Sequence, residues 1–143
     1  MGPRVVLDTN IILSGLRSST GISAALLEQI GSSNFGLALS NALVYEYEDV
    51  LSRHLDLLAL TLEDIHNILG VWARHSHWQE PYFRWRPQLS DPKDEHVLEL
   101  AINAQARYIV TFNIKDFIAA PRFGIEVILP LEFWRKHVAP TGG

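Results

Sequence analysis

The chain has 143 residues, of which 48% are hydrophobic and 20% charged, the usual size and composition of one soluble domain. It contains no cysteine, which excludes disulfides, zinc–thiolate sites, thiolate-bound iron–sulfur clusters and a cysteine nucleophile. The formal net charge of -4 argues against a protein that holds nucleic acid by a general basic surface. It leaves open a nuclease whose acidic residues meet the phosphodiester through a divalent cation.

Helix and strand patterns alternate along the chain. Short apolar runs predict buried strands, and apolar residues spaced three or four apart predict helices. The predicted strands are 4–7, 35–39, 107–111 and 126–129, with at most a short strand in the loop 77–89. The predicted helices are 11–16, 22–30, 40–54, 61–74, 91–105, 114–119 and 130–137. This alternation predicts a single three-layer α/β/α domain with a mainly parallel central sheet of about four to five strands.

The organisation of the chain is simple. We expect one domain over residues 1–138, followed by a flexible C-terminal tail over 139–143. No apolar run approaches the ~20 residues that cross a bilayer, and the N-terminus lacks the pattern of a signal peptide. These features predict a cytoplasmic protein.

Polar residues follow several of the predicted strands. In parallel sheets, ligands bind outside the carboxyl ends of the strands, so Asp8, Ser40 and Thr111 should gather at one edge. No glycine-rich loop follows the first strand, which disfavours phosphate binding of the nucleotide-binding type.

Two acids reach this edge from the first half of the chain. Asp8 directly follows the first strand, although it could equally cap the next helix. Glu46 lies on the flank of the buried stripe of helix 40–54, roughly 9 Å along the helix from Ser40. Its structural alternative is an ion pair with an arginine.

Two further acids come from the second half. Asp94 and Asp116 each lie near the start of a predicted helix, where the helix dipole favours a carboxylate, and Asp91 is a candidate N-cap. Glu95 and Glu99, four residues apart on the same helix, are predicted to face solvent.

Four acids at one edge have a chemical consequence. Like charges repel unless a cation binds or protons are taken up. Hard oxygen ligands suit Mg²⁺ or Mn²⁺ and not zinc, and such a site performs phosphoryl chemistry. The predicted acids of this site are Asp8, Glu46, Asp94 and Asp116.

An ordered set of motifs resembles the PIN domain ribonucleases, and specifically the VapC-like toxins of toxin–antitoxin pairs. The motifs span residues 4 to 117, and residues 127–134 resemble the family's closing strand and helix. They are Val5-Val6-Leu7-Asp8-Thr9-Asn10, Ser40 to Leu51 with Glu46, Asp91-Pro92-Lys93-Asp94 with Leu98 and Ala101, and Ile109 to Phe117 with Asp116. One departure is Asn113, which stands where many relatives carry an acid.

The resemblance implies a Mg²⁺- or Mn²⁺-dependent endoribonuclease with a cytoplasmic toxin role. Products would carry a 5′-phosphate and a 3′-hydroxyl. It also implies an antitoxin protein whose segment covers the site, and a homodimer. The acids named above match the family's acidic quartet, with supporting polar groups at Thr9, Asn10, Ser40, Thr111 and Asn113.

The aromatic and basic run 82–86 has two interpretations. Arg84, Trp85 and Arg86 combine stacking with positive charge, as single-stranded RNA binders do. Alternatively, the aromatic side chains pack against the protein and the arginines face water or acids.

Two other functions compete with the nuclease. The first is a PIN-like module that binds RNA or a protein through the same edge without useful catalysis. The second is a phosphatase with an aspartate nucleophile, which would need a second acid two residues after Asp8, where this chain has Asn10.

Overall fold

The computed structural model describes residues 2–80 and 88–139 of the chain. None of the helices in these two ranges is long and apolar enough to cross a membrane. The predicted tail beyond residue 139 lies outside the described residues.

Five parallel strands form the central sheet, in the order β3-β2-β1-β4-β5. This confirms the predicted three-layer α/β/α class with a sheet of four to five strands. The strands are β1 (Arg4–Leu7), β2 (Gly36–Leu39), β3 (His77–Trp78), β4 (Tyr108–Val110) and β5 (Glu126–Ile128).

The central strand β1 is buried on both faces. Residues 5–7 have no exposed surface, which agrees with their uninterrupted apolar sequence. Val5 pairs with Leu37 of β2 and with Tyr108 of β4. Because all three strands run in the same direction, the residues that follow them start at one edge of the sheet.

Seven α-helices lie within the described part of the chain. They are α1 (Thr9–Arg17), α2 (Ile22–Glu28), α3 (Asn41–Ser52), α4 (Leu55–Leu58), α5 (Leu62–Arg74), α6 (Glu95–Asn103) and α7 (Pro130–His137). Three 3₁₀ turns accompany them, at Pro92–Asp94, Ile114–Phe117 and Ala120–Phe123.

Three predicted helices differ in detail. The predicted helix 40–54 corresponds to α3, and the short α4 that follows it was not predicted. Helix α4 ends where Ala59 adopts a left-handed conformation with φ 55°. The predicted helix 91–105 begins as a 3₁₀ turn because the Asp91 side chain accepts a hydrogen bond from the Lys93 amide at 2.9 Å. The predicted helix 114–119 is only a 3₁₀ turn.

A side-chain hydrogen bond joins helix α3 to the end of the central strand β1. Tyr47 is fully buried, and its hydroxyl donates a hydrogen bond to the carbonyl of Leu7. Glu46 precedes Tyr47, and Asp8 follows Leu7, so this bond brings the two predicted acids to the same region. The tertiary contact of one buried tyrosine therefore positions part of the candidate site.

Candidate active site and metal centre

Asp8 is held at the junction of β1 and α1. Its amide donates to the Val110 carbonyl at 3.0 Å, which extends the pairing of β1 with β4. Its Oδ1 accepts from the Thr9 amide at 2.9 Å, and its Oδ2 accepts from the Thr111 hydroxyl at 2.8 Å. The residue is 8% exposed. Asp8 is thus both the N-cap residue of α1 and a fixed carboxylate at the sheet edge.

Thr111 is the centre of a small polar network. Besides donating to Asp8, its hydroxyl accepts from Asn10 Nδ2 at 3.2 Å and from the Asn113 amide at 3.0 Å. Thr111 is fully buried, although its side chain is polar. Three of the predicted supporting residues therefore meet around Asp8, with Asn113 contributing its backbone.

Glu46 accepts a hydrogen bond on each carboxylate oxygen. The Thr9 hydroxyl donates to Oε2, and His96 Nε2 lies 3.0 Å from Oε1. Burial alone would raise the pKa of Glu46, but the hydrogen bonds from His96 and Thr9 lower it below its usual value. Glu46 is therefore held in its ionised form, paired with a histidine and not with the arginine that was its alternative.

His96 was not predicted from the sequence. It lies two residues after Asp94 on α6, and it meets Glu46 because α6 contacts α3. Its position on the first turn of a helix that begins with a candidate acid is the only sequence signal that pointed to it.

Asp94 and Asp116 form the more exposed part of the region. Asp94 precedes α6, and its side chain makes no capping hydrogen bond. Burial, together with repulsion from the carboxylates of Asp8, Asp116, Asp91 and Glu46, raises the pKa of Asp94 from 3.8 to about 6. Asp116 is exposed in its 3₁₀ turn.

The four predicted acids therefore influence one another electrostatically. Burial raises the pKa of Asp8, and the charges of Glu46 and Asp116 add to that effect, whereas the Thr111 and Thr9 hydrogen bonds oppose it. Among the residues that the structure describes, no lysine or arginine forms an ion pair with any of the four. Within the described ranges, the region therefore carries negative charge that no lysine or arginine neutralises.

The donor chemistry fits a hard divalent cation. Mg²⁺ accepts one or two carboxylates and keeps several water ligands, so it does not need an all-protein cage. Within residues 2–80 and 88–139, no three His, Cys, Asp or Glu side chains are gathered closely enough to form such a cage. The carboxylates match a hard divalent cation in donor type and in charge.

Ser40 belongs to a different arrangement. It is buried directly after β2, and its hydroxyl accepts from the Leu43 amide at 3.2 Å, which caps α3. In the described part of the chain it forms no hydrogen bond with the four acids. Ser40 therefore acts in the structure as a helix cap.

The prediction that Glu95 and Glu99 face solvent is wrong. They are 2% and 3% exposed, because α6 packs against β1, β2 and β4. Glu95 Oε1 accepts from the amides of Gln88 and Leu89 at 2.8 and 2.9 Å. Glu95 thus holds in place the segment that precedes the 3₁₀ turn of Asp94.

The predicted RNA contacts Arg84, Trp85 and Arg86 lie outside the described residues.

A family comparison decides which family the chain belongs to. The family model of the PIN domain matches residues 4–115, most of the chain. The chain belongs to the PIN domain family. No curated protein matches this PIN domain.

Two solved structures are similar to this PIN domain in fold. VapBC2 from Rickettsia felis, bound to a DNA fragment from their promoter, contains a chain that is 17% identical, with a TM-score of 0.60. The match covers 87% of this chain and 98% of that one. VapBC-1 from nontypeable Haemophilus influenzae contains a chain that is 16% identical, with a TM-score of 0.62, over 90% of this chain and 98% of that one. At these identities the likeness is one of fold.

Proposed function

We propose that this PIN domain is a Mg²⁺- or Mn²⁺-dependent endoribonuclease and the toxin of a toxin–antitoxin pair. One observation carries the proposal. The charges of Glu46 and Asp116 raise the pKa of both Asp8 and Asp94. Within the described residues, none of these four acids has a lysine or arginine partner. Unneutralised carboxylates of this kind are where a divalent cation and a phosphodiester can meet.

The four acids have different proposed roles. Asp8 and Asp94 would hold the principal cation, and Asp116 would complete the cluster. A bound cation supplies polarisation of the phosphodiester and lowers the pKa of a water molecule. Glu46, held ionised by its two hydrogen bonds, would bind the cation or orient that water for attack on the phosphodiester.

The Asp8 network would support catalysis by fixing one ligand in advance. The Thr111 hydroxyl and the Thr9 amide each donate to a different oxygen of Asp8. Such outer hydrogen bonds orient a metal-binding carboxylate and limit its motion. Thr9 further joins Asp8 to Glu46, because its amide binds one acid and its hydroxyl binds the other.

The toxin role and the partner rest on fold likeness. The two similar solved structures are VapBC proteins. We propose that a cognate antitoxin protein binds this PIN domain and covers the acidic edge. A homodimer, an RNA substrate and RNA contacts by Arg84, Trp85 and Arg86 complete the proposal.

The test is RNA cleavage by the purified chain, free of any antitoxin. A mixed single-stranded RNA is incubated with Mn²⁺ or Mg²⁺, with EDTA in a parallel reaction. The wild-type chain should cleave only with metal, and Asp8→Asn should be inactive while it remains folded. The matched control is Asp49→Asn, which removes an exposed carboxylate of α3 that pairs with Arg53 at 2.7 Å. Full activity of Asp8→Asn would contradict the proposal.

The second candidate is a PIN-like binding module without useful catalysis. The exposure of Asp116 and the amide side chain of Asn113, which stands where many relatives carry an acid, favour it. Calorimetric titration with Mn²⁺ separates the two functions. A nuclease should show saturable binding that Asp8→Asn abolishes, whereas a binding module should bind Mn²⁺ weakly and be indifferent to that change.

A further inference from the structure

His96 contributes a contact to the acidic region that its sequence position alone does not reveal. Its side chain is 17% exposed, and its Nε2 lies 3.0 Å from Glu46 Oε1. The residue belongs to α6, whereas Glu46 belongs to α3. The contact therefore joins the helix that follows Asp94 to the helix that carries Glu46.

The two hydrogen bonds to Glu46 come from two different helices. Thr9, at the start of α1, donates to Oε2, and His96 of α6 approaches Oε1. A glutamate on a helix has three side-chain torsions that rotate freely unless something fixes the carboxylate. With one donor on each oxygen, both the position and the plane of the Glu46 carboxylate are set.

The environment of the other ring nitrogen, Nδ1, indicates which nitrogen of His96 carries the proton. Nδ1 is buried and has no hydrogen-bond partner among the described residues. A proton on Nδ1 would be a buried donor without an acceptor, which proteins avoid more strictly than an unused acceptor. The favoured neutral tautomer therefore carries its proton on Nε2, facing Glu46. In the part of the chain described, Glu46 is the one polar partner of this ring.

We propose that His96 is a positioning residue, which donates from Nε2 to Glu46 Oε1 and, together with Thr9, holds the Glu46 carboxylate in its working orientation. The catalytic part of this inference rests on the proposed nuclease function. An apolar side chain of similar size would fill the same space without the donor.

A matched pair of variants tests the donor separately from the packing. His96→Leu keeps the approximate bulk of the side chain and removes the hydrogen-bond donor. His96→Gln can place an amide N–H where Nε2 lies. His96→Leu should lower kcat for RNA cleavage by about 10- to 100-fold, with a much smaller change in KM. His96→Gln should restore most of the loss. The control His66→Leu removes an exposed histidine that lies 3.3 Å from Glu48, and it should retain full activity.

A spectroscopic measurement tests the hydrogen bond without any activity. Proton–nitrogen correlation NMR of the histidine side chains distinguishes the two ring tautomers. The wild-type chain should show His96 protonated on Nε2, and Glu46→Ala should shift that proton upfield because its acceptor is lost. In the spectrum of the control variant His66→Leu, the His96 signals should have the same positions as in the wild type.

The outcomes separate this inference from the proposed function. An Nδ1-protonated His96, an unchanged spectrum in Glu46→Ala, or full activity of His96→Leu alongside an inactive Asp8→Asn would each overturn the positioning role. The role would also be overturned if His96→Leu and His96→Gln lost kcat equally and the loss matched the decrease in their melting temperatures. If the wild-type chain cleaves no RNA, the nuclease proposal fails, and the NMR result alone decides whether His96 holds Glu46.

Discussion

The two halves of the acidic region are built differently. The Asp8 side, which consists of Asp8, Thr9, Asn10 and Thr111, is buried or nearly so and connected by hydrogen bonds of 2.8 to 3.2 Å. The Asp94 side, which consists of Asp94 and Asp116, lies in two 3₁₀ turns and is more exposed. On the first side, donors from the protein stabilise a carboxylate. On the second side, repulsion between carboxylates is left for a proton or a cation to relieve.

The difference indicates that one acid is fixed in position before a ligand binds, whereas the protonation of another changes when a ligand binds. Donors fixed by the sheet hold Asp8 in place before any ligand arrives. Asp94 has a pKa raised to about 6, so its carboxyl is partly protonated in mildly acidic solution, where a cation beside it competes with that proton. A cation would therefore find one ligand already oriented and would change the protonation of the other.

Removing the central hydroxyl of the Asp8 side should have the largest effect. Thr111→Val keeps the shape of the side chain but leaves Asp8 Oδ2, Asn10 and the Asn113 amide without their partner. We expect Mn²⁺ affinity to fall about 10- to 100-fold and the free energy of unfolding to fall by about 1–3 kcal/mol. Calorimetric titration and urea unfolding measure the two quantities. Thr111→Ser, which keeps the donor, is the control, and wild-type affinity in Thr111→Val would refute this role.

The pH dependence of stability should report the Asp94 side. The pKa of Asp94 is raised in the folded protein from 3.8 to about 6, so the folded state binds the proton more tightly than the unfolded state between these values. The free energy of unfolding should therefore fall as pH rises through this window, and the penalty is complete above it. Because Asp94 is partly exposed, solvent screens the repulsion, and we expect about 1 kcal/mol or less.

Asp94→Asn isolates that contribution. Urea unfolding at several pH values, without divalent cations, should show a smaller decrease in this variant than in the wild type. Added Mn²⁺ should remove the decrease in the wild type and bind more weakly at acid pH, where protons compete for the carboxylate. Identical pH profiles for the two proteins would mean that Asp94 is not the titrating group.

The smallest effect should come from the neighbouring helix-start acid. Asp91 accepts from the Lys93 amide at 2.9 Å, whereas Asp94 makes no capping hydrogen bond. Asp91→Ala should lower the free energy of unfolding by about 0.5 kcal/mol, measured by urea unfolding, because it removes an exposed cap. Mn²⁺ binding should persist in this variant. A loss of binding as large as that of Asp94→Asn would show that the two acids are not divided between cap and site.

Several parts of the fold were predictable because they depend on local pattern. The apolar run before Asp8 predicted a strand buried on both faces, and 62–74 follows the predicted helix 61–74 closely, with Thr61 and Asp64 forming a capping box. The burial of Glu95 and Glu99 was missed because their spacing resembles that of a solvated face. Their environment depends on how α6 packs against β1, β2 and β4, which no local pattern encodes.

The sequence by itself determined the alternating strands and helices, and it named four acids. Three of them follow a strand or begin a helix, and the fourth, Glu46, lies on the flank of a helix. It could do so because strand, helix and cap preferences act over a few residues. Only the tertiary structure decided which donors hold these acids, since Thr111 and Asp8 are 103 positions apart and His96 and Glu46 are 50 apart. Hydrogen bonds form over about 3 Å in space whatever the separation along the chain, so packing, and not spacing, selects the partners.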